Sequence, residues 1–451
     1  MSLIKEISTN IRSGHYSAHD IVTHYLNLIK QTNSSIKSVT RILEERALKA
    51  AHHIDILIAN GKDPGPLAGV PFGVKDLFDL EGEITTSGSQ VFNHEKPASK
   101  DAAVIQRLCE AGAIPIATLN MDEFAYGFIT DNSYYGITRN PHDTSRFAGG
   151  SSGGSAASVA AGILPFSLGS DTNGSIRIPA ALCGVWGIRP TYHSMPMQGV
   201  YPLSESCDTV GPFCQNITDL KIICDVMAGT FNSSVNALSS NLKVAQLGGW
   251  FERDVNPEIL KVIQDIMVLF QSDKKIELQY VEQARIASYL MTASEGGALH
   301  LPILRKYPLK YDPDTRDRLI AGAMLPASSY LQAKKIEQWF KIYINTLFKE
   351  YDLLIAPTTG DIAPKIDDPV VTVKGKSVSA YTNIGIYTQS LSLTGCPILS
   401  VPIARDGNLP FGLQIMAKPF QEHLLFEVGT MLEQKGIAKA SILHQKQLNN
   451  K

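Results

Sequence analysis

The sequence has no long apolar run and little excess of charge of either sign. No stretch of about 18 apolar residues occurs in it, so we expect no transmembrane helix. Residues 1–22 mix charged and apolar side chains and lack the continuous apolar segment of a signal peptide. The 41 basic and 43 acidic residues give a formal charge of −2, and no basic stripe for nucleic acid is visible. These absences predict a cytoplasmic protein that binds neither a membrane nor nucleic acid directly.

Cysteine and histidine occur without the spacings that metal and redox sites need. None of the six cysteines forms a C-x-x-C pair, and the eleven histidines include no H-E-x-x-H motif. In a long chain without a signal peptide we expect such cysteines to be reduced and structural. The sequence therefore predicts no metal site and no cofactor.

The composition and the order of the apolar segments indicate a large α/β protein. Hydrophobic residues make up 44% of the chain and charged residues 19%, which is typical of a globular protein with a large core. Residues 1–60 show helical spacing of apolar side chains, and strand-like and helical runs alternate over residues 61–230. A polar surface connection is predicted at 231–242, before the remainder, residues 243–451. The alternation favours a mainly parallel sheet.

One glycine- and serine-rich segment, FAGGSSGGSAAS at residues 147–158, has the composition of a flexible linker. It also contains a G-x-S-x-G pattern centred on Ser151, which is typical of the nucleophile elbow of α/β-hydrolases. The elbow needs an apolar strand before it, whereas NPHDTSRFA is polar and turn-forming. A phosphate-binding loop is also disfavoured, because no Gly-Lys-Ser/Thr follows. Neither motif accounts for a segment that directly precedes an apolar run.

A second candidate serine lies downstream in LGSDTNGSIRIPA. Ser175 follows Gly174, and a glycine before a serine can bring successive backbone N–H groups toward one point. Such groups stabilise a developing oxyanion by about 3–4 kcal/mol per donor. An ordinary loop between a strand and a helix has the same pattern, so this segment alone leaves both interpretations open.

The chain resembles the amidase signature family in four segments that occur in the family's order. The longest is GGSSGGSAASVAAGILPFSLGSDTNGSIRIPAALCGVWGIRP at 149–190, and the others are GVPFGVKD (69–76), NMDEFAYGF (120–128) and PFGLQIMA (410–417). The resemblance covers nearly the whole chain. It implies a single domain over residues 1–451, with an α/β fold in which helices cover both faces of a large mixed sheet. It also implies hydrolysis of an amide through a covalent acyl-enzyme.

The resemblance assigns a role to several residues of this sequence. Ser175 matches the family's nucleophile, Ser151 its bridging serine and Lys75 its base, and the Gly150–Ser151 peptide bond is expected to be cis. The family's oxyanion hole maps onto the backbone N–H groups of Thr172, Asn173, Gly174 and Ser175. Supporting positions around this site match Ser152, Asp171 and Arg177.

The segment around Lys75 is chemically suited to a base. A serine hydroxyl is a poor nucleophile until a base takes its proton. Lysine has an ordinary pKa of about 10.4, and burial lowers it because the charged form is disfavoured in an apolar environment. PFGVKDLF provides such surroundings. We therefore expect a neutral Lys75 to accept a proton from Ser151, which in turn accepts one from Ser175.

Two groups within the family are similar to this sequence. LNMDEFAYGFITDNSYYGITRNPHDTSR resembles the amidase component of glutamyl-tRNA amidotransferases, which usually has methionine at the position of Tyr126. LGGWF (247–251), TASEGGALHL (292–301) and TQSLSLTGCP (388–397) resemble the amidase subunits of 1-carboxybiuret hydrolases. The second resemblance implies conversion of 1-carboxybiuret to 1,3-dicarboxyurea and ammonia, with a small helical accessory subunit in a hetero-oligomer. A glutaminase subunit of an amidotransferase and a general small-amide amidase remain alternatives.

An anionic substrate predicts an arginine in the pocket, because its planar guanidinium matches a carboxylate. Arg318 in DRLIAG aligns with a substrate-binding arginine of the amidotransferases. Tyr126 and His300 are further candidates for the pocket. For Arg318, an exposed helix position is the competing interpretation, because Arg316 and Asp317 lie beside it.

Overall fold

The computed structural model describes residues 2–231, 242–405 and 407–443, so most of the connection predicted at 231–242 lies outside the described residues. Within these ranges the chain forms fourteen α-helices: α1 (Leu3–Arg12), α2 (Ala18–Ile36), α3 (Glu44–Ala59), α4 (Ala103–Glu110), α5 (Gly153–Ala160), α6 (Arg177–Cys183), α7 (Ile217–Ala228), α8 (Pro257–Leu269), α9 (Val281–Leu304), α10 (Pro313–Ala323), α11 (Ala327–Leu347), α12 (Ala380–Asn383), α13 (Gln389–Ser392) and α14 (Glu422–Gln434). None of these helices has the length and hydropathy needed to span a membrane.

The same ranges form seventeen β-strands: β1 (Val39–Ile42), β2 (Pro71–Lys75), β3 (Ile114–Leu119), β4 (Asp131–Asn132), β5 (Gly136–Ile137), β6 (Arg139–Asn140), β7 (Asp143–Phe147), β8 (Phe166–Asp171), β9 (Trp186–Arg189), β10 (Thr209–Cys214), β11 (Val244–Leu247), β12 (Lys275–Ile276), β13 (Leu353–Pro357), β14 (Val370–Val373), β15 (Lys376–Ser379), β16 (Ile398–Arg405) and β17 (Asn408–Ala417). Eleven of them form one sheet, in the order β1-β3-β2-β8-β10-β9-β16-β17-β13-β11-β12. Strands from both 61–230 and 243–451 therefore share this sheet.

The large sheet is mixed, as the family resemblance implies. Of the ten neighbouring strand pairs in the described residues, six are antiparallel and four parallel. The mainly parallel sheet that the alternation favours is therefore wrong. Alternation of helices and strands predicts crossovers but not strand direction, and β16 and β17 are too close in sequence for the crossover that a parallel pair needs.

Helices cover the sheet where its central strands run. Every residue of β2 and of β8 is buried. Because successive side chains of a strand point to opposite faces, complete burial means that both faces are covered. This agrees with the continuous apolar runs of these strands, which show no alternation of polar residues.

The parallel pairing of β2 with β8 places the candidate residues together. Val74 is paired with Leu168, so both strands end at the same edge, β2 at Lys75 and β8 at Asp171. Carboxyl ends of neighbouring parallel strands commonly form the binding crevice of α/β proteins. Ser175 lies in the loop that leaves β8 at this edge.

Helices α9 and α10 approach each other closely through small residues. A Cβ atom on Gly322 would collide with the carbonyl oxygen of Ala293, and one on Gly297 would collide with the backbone nitrogen of Ala323. Because this packing leaves no room for side chains between the helices, it fixes α10 against α9. The glycines of TASEGGALHL therefore have a packing role.

Candidate active site

The side chain of Lys75 is completely buried at the end of β2. Its Nζ atom lies 2.7 Å from Ser151 Oγ and 2.9 Å from Ser170 Oγ. Burial lowers the pKa of Lys75 to about 7, although nearby carboxylates, chiefly Asp122, oppose the change. Near neutral pH a substantial fraction of this amine is uncharged and able to accept a proton.

The loop before α5 holds Ser151 against β8. The Gly150–Ser151 peptide bond is cis, as the family resemblance implies. A Cβ atom on Gly150 would collide with the carboxylate of Asp122, so this position accepts only glycine. Thr130 Oγ1 donates to the carbonyl of Gly149 at 2.9 Å and accepts from the backbone N–H of Gly153 at 3.0 Å. Both ends of the loop are therefore attached to one side chain.

Ser152 connects this loop to the segment that carries Ser175. Its hydroxyl donates to the carbonyl of Ser170 at 3.1 Å, and its backbone N–H donates to the carbonyl of Ser175 at 3.3 Å. These bonds hold Ser151 and Ser175 at neighbouring positions without taking part in their side-chain chemistry.

Ser175 lies beside a cavity and has a hydroxyl without a hydrogen-bond partner among the described residues. No hydrogen bond joins the hydroxyls of Ser175 and Ser151 in this part of the chain. Contacts of this kind are often long in the absence of substrate and shorten when the substrate binds. The structure thus brings Lys75, Ser151 and Ser175 to one place and shows one of the two contacts of a proton relay.

The backbone N–H groups of the predicted oxyanion hole differ in availability. Those of Thr172, Asn173 and Ser175 have no acceptor within the residues described. The N–H group of Gly174 donates to Asp171 Oδ1 at 2.7 Å, so it is not free as the resemblance implies. The reason is that the Asp171 carboxylate closes the turn between β8 and α6. Three donors remain for an oxyanion.

A buried ion-pair network braces this turn. Burial by itself would raise the pKa of Asp171, but the guanidinium groups of Arg177 and Arg189 hold it well below its usual range. Arg177 Nε lies 3.0 Å from Asp171 Oδ2, and Arg189 Nη1 lies 3.1 Å from Asp171 Oδ1. Arg177 also donates to Ser392 Oγ at 2.6 Å and to Gln414 Oε1 at 2.9 Å. Asp171 and Arg177 therefore support the loop and do not reach the cavity.

Helix α9 holds Asn173 from the other side. Ser288 Oγ donates to Asn173 Oδ1 at 2.5 Å, and Asn173 Nδ2 donates to Thr292 Oγ1 at 2.9 Å. Thr388 Oγ1 donates to the carbonyl of Asn173 at 2.7 Å. The peptide groups that face the cavity are thus fixed by side chains from distant parts of the chain.

The cavity next to Ser175 is narrow, at about 40 Å³. Its walls come from five segments of the chain, and the lining residues are Ala125, Tyr126, Gly127, Phe128, Thr172, Asn173, Ser175, Leu203, Tyr289, Thr292, Arg318, Tyr381, Thr382 and Gln389. Arg318 is the charged residue in this set, and the lining contains no aspartate or glutamate. The cavity therefore suits a small substrate with a negative charge better than one with an ammonium group.

Arg318 and Tyr126 reach the cavity together. The guanidinium of Arg318 lies 4.4 Å from the centre of the Tyr126 ring, and its Nη2 donates to the Tyr126 carbonyl at 2.5 Å. Its Nε donates to the carbonyl of Asp314 at 3.2 Å. Arg318 forms no salt bridge with a carboxylate in the described ranges. Its charge is available to a ligand.

His300 does not lie among the cavity residues. Its ring centre is 4.2 Å from that of Phe124, and its Nδ1 is hydrogen-bonded to the hydroxyl of Tyr311 at 3.1 Å. Burial lowers the pKa of His300 to about 4. The imidazole is a neutral member of an aromatic cluster behind the cavity wall.

Sequence reasoning missed Ser170, Arg189 and Gln389. Ser170 immediately precedes Asp171, so its position beside the candidate serines was a usable signal. Arg189 ends an apolar strand, VWGIRP, and a charge there indicates a buried partner. Gln389 has no such local signal. Within the described residues, no group of three histidine, cysteine or acidic side chains is arranged to hold a metal ion.

Comparisons with known proteins agree with this geometry. The model of the family described as Amidase matches residues 20–426. AtzE, a component of 1-carboxybiuret hydrolase from Pseudomonas sp. (strain ADP), is 40% identical over 96% of this chain and 98% of its own length. The amidase component of the glutamyl-tRNA(Gln) amidotransferase of Lachnospira eligens is 32% identical over 95% of this chain and 97% of its own length.

Solved structures give the same result. A structure described as a vestigial protein complex that reveals the evolutionary origins of an s-triazine catabolic enzyme has a TM-score of 0.91 and 39% identity, and covers 97% of this chain and 99% of that chain. An amidase crystal structure has a TM-score of 0.89 and 29% identity over 96% of this chain and 99% of that one. The protein is therefore an amidohydrolase acting on C–N bonds, and the chain belongs to the amidase signature family.

Proposed function

We propose that this amidohydrolase cleaves the terminal C–N bond of 1-carboxybiuret, a small carboxylated urea derivative, to give 1,3-dicarboxyurea and ammonia. The observation that carries the proposal is the composition of the cavity beside Ser175, where Arg318 is the charged residue and acidic side chains are absent. The similarity to AtzE over almost the full length of both chains supports the same substrate class.

In the proposed reaction Ser175 is the nucleophile. Its oxygen forms a bond to the terminal carbonyl carbon, its proton passes to Ser151 Oγ, and the proton of Ser151 passes to the neutral amine of Lys75. The carbonyl oxygen becomes an oxyanion, stabilised by the free N–H groups of the loop at Thr172 and Asn173 and at Ser175 itself. The C–N bond then breaks, and the proton returns along the relay to the departing nitrogen, which leaves as ammonia.

The second half of the reaction releases the acyl group. Water attacks the carbonyl carbon bound to Ser175 Oγ and gives up a proton to the relay that ends at Lys75. The C–O bond to Ser175 breaks, its oxygen regains a proton, and the new carboxylate leaves with the product. In total one amide and one water give one carboxylate and one ammonium ion, so Lys75 ends each cycle as the neutral base.

The alternative is a glutaminase component of an amidotransferase, supported by relatives such as that of Lachnospira eligens. Glutamine carries an ammonium group, and such a group is normally bound by a carboxylate. Because no aspartate or glutamate lines the cavity, the site favours the carboxylated urea.

We also propose a cytoplasmic location and a small helical accessory subunit. The accessory subunit is supported by the structural relative that is described as a protein complex. The location is supported by six free cysteines, which are the rule in reducing compartments. Co-expression of this chain with small proteins encoded beside it, followed by size-exclusion chromatography, tests the assembly. A chain that remains alone and fully active contradicts it.

The experiment that tests the function is ammonia release by purified protein from a panel containing 1-carboxybiuret, biuret, glutamine and simple aliphatic amides. We expect the highest kcat/KM for 1-carboxybiuret and complete loss of activity in Ser175→Ala. Faster turnover of glutamine than of 1-carboxybiuret contradicts the proposed substrate, and full activity of Ser175→Ala contradicts the nucleophile.

A further inference from the structure

Gln389 has a fixed place in the wall of the cavity that contains Ser175. It begins α13, is only 3% exposed and lines the cavity. The preceding residue, Thr388, donates to the carbonyl of Asn173 at 2.7 Å. The start of α13 is thereby attached to the loop that carries Ser175, so the Gln389 side chain emerges from a backbone held relative to the nucleophile.

Arg285 on α9 determines which way the Gln389 amide faces. Arg285 Nε lies 2.7 Å from Gln389 Oε1, and Arg285 Nη2 lies 3.4 Å from Asn383 Oδ1. A guanidinium carries only donors, so the amide atom that faces it must be the oxygen. The NH₂ group of Gln389 consequently points away from Arg285.

That NH₂ group has no acceptor in the part of the chain that the structure describes, whereas the Gln389 oxygen is occupied by Arg285. Buried amide groups in proteins are nearly always hydrogen-bonded. A buried donor left without a partner in a cavity wall therefore indicates an acceptor on the ligand. The same helix, α9, also holds Asn173 through Ser288 and Thr292, so one element orients both groups.

We propose that Gln389 binds the substrate by donating a hydrogen bond from its NH₂ group to a substrate oxygen, and that Arg285 is a positioning residue that acts through Gln389. The inference rests on the proposed function, since it takes the substrate to be a small molecule with a carboxylate and an amide. Arg318 supplies charge to the same ligand, and Gln389 supplies a neutral donor of fixed direction.

Protection of Ser175 from a fluorophosphonate tests this inference without requiring turnover. Malonamate, a stable molecule with one carboxylate and one amide, is the protecting ligand. We expect Gln389→Met to raise the malonamate concentration for half-protection about tenfold, the effect of losing one hydrogen bond to a charged or polar ligand group. Labelling without malonamate should stay within about twofold of wild type, as should all values for the exposed control Gln264→Met.

The positioning role of Arg285 has its own readout. Arg285→Met should weaken protection in the wild-type background and have no further effect in the Gln389→Met background, because it acts through the amide. Equal protection of wild type and Gln389→Met, no protection of wild type, or an equal effect of Arg285→Met in both backgrounds each overturns the inference.

Ammonia release from 1-carboxybiuret, measured on the same samples, separates the two proposals. Turnover by wild type combined with unchanged protection in Gln389→Met overturns the Gln389 inference alone. Protection that depends on Gln389, combined with no release of ammonia from 1-carboxybiuret, supports the Gln389 inference and contradicts the proposed substrate.

Discussion

Lys75 Nζ and Ser151 Oγ lie 2.7 Å apart, and neither side chain is exposed to solvent. An ammonium group at this distance can only donate to the hydroxyl, whereas a neutral amine can accept its proton. Burial provides the neutral form at a pH where a lysine in water is almost fully charged. The protonation state of one amine therefore decides whether the relay works.

The first prediction concerns pH. The pKa of Lys75 is lowered to about 7, so kcat/KM should rise as the pH increases through this value and level off above it. Lys75→Ala and Lys75→Arg should both lose activity, because alanine has no base and arginine stays protonated. Circular dichroism serves as the control for folding. An unchanged pH profile in an active Lys75→Ala variant contradicts the assignment.

The second prediction concerns Asp122. Its charge raises the pKa of Lys75 and so opposes the effect of burial. In Asp122→Asn that charge is absent, and the rise of kcat/KM should move to lower pH. The pH profile of the variant measures this directly. A shift to higher pH, or none, would show that Asp122 does not act on Lys75 electrostatically.

The third prediction compares two arginines of α10. Arg318→Gln should raise KM for 1-carboxybiuret about tenfold or more, because a charge-assisted hydrogen bond to the carboxylate is lost. Arg316 pairs with Asp317 and does not line the cavity, so Arg316→Gln should leave KM unchanged. Steady-state kinetics with both variants checks this, and equal effects of the two substitutions contradict the role of Arg318.

The fourth prediction concerns Gly150. Gly150→Ala should abolish activity, because the new methyl group collides with the Asp122 carboxylate and displaces Ser151. Gly82 is the control, since it also lacks a side chain but has open space around the Cβ position. Gly82→Ala, at a positive φ of 82°, should cost about 1 kcal/mol of stability and leave activity intact. Ammonia release and thermal unfolding distinguish the two.

The fifth prediction concerns the buried ion pairs of Asp171. Asp171→Asn leaves Arg177 and Arg189 without a buried countercharge and should lower the free energy of unfolding by about 3–5 kcal/mol. Asp143→Asn breaks the partly exposed pair with Arg146 and should cost no more than about 1 kcal/mol. Urea denaturation measures both values. A similar cost for both would mean that burial does not strengthen the Asp171 network.

The sequence was sufficient for residues that lie in long motifs. Lys75, Ser151 and Ser175 come together because β2 and β8 are parallel neighbours, and the resemblance implied this arrangement without a calculation of geometry. The direction of the remaining strands was not predictable from the alternation of elements, since local periodicity reports burial and not pairing. The mainly parallel sheet was therefore wrong.

Contacts between distant segments were beyond the reach of sequence reasoning. Gly174 looked like an oxyanion donor, but its N–H group is used by Asp171, whose orientation depends on Arg189 from another strand. Arg285 and Gln389 are 104 positions apart, and nothing in either segment points to the other. His300 was a reasonable pocket candidate from its motif, yet the turn of α9 on which it lies places it among aromatic rings.

The residues proposed for bond breaking all precede α6, whereas α9, α10 and α13 contribute Arg285, Arg318 and Gln389 from much later in the chain. Substitutions on these helices change which molecule is held without altering the groups that act on its carbonyl. Gene segments that encode them can therefore diverge under selection for a new nitrogen source while the hydrolytic chemistry is inherited intact. Exchanging α9 to α13 between relatives is a direct route to enzymes with new amide substrates.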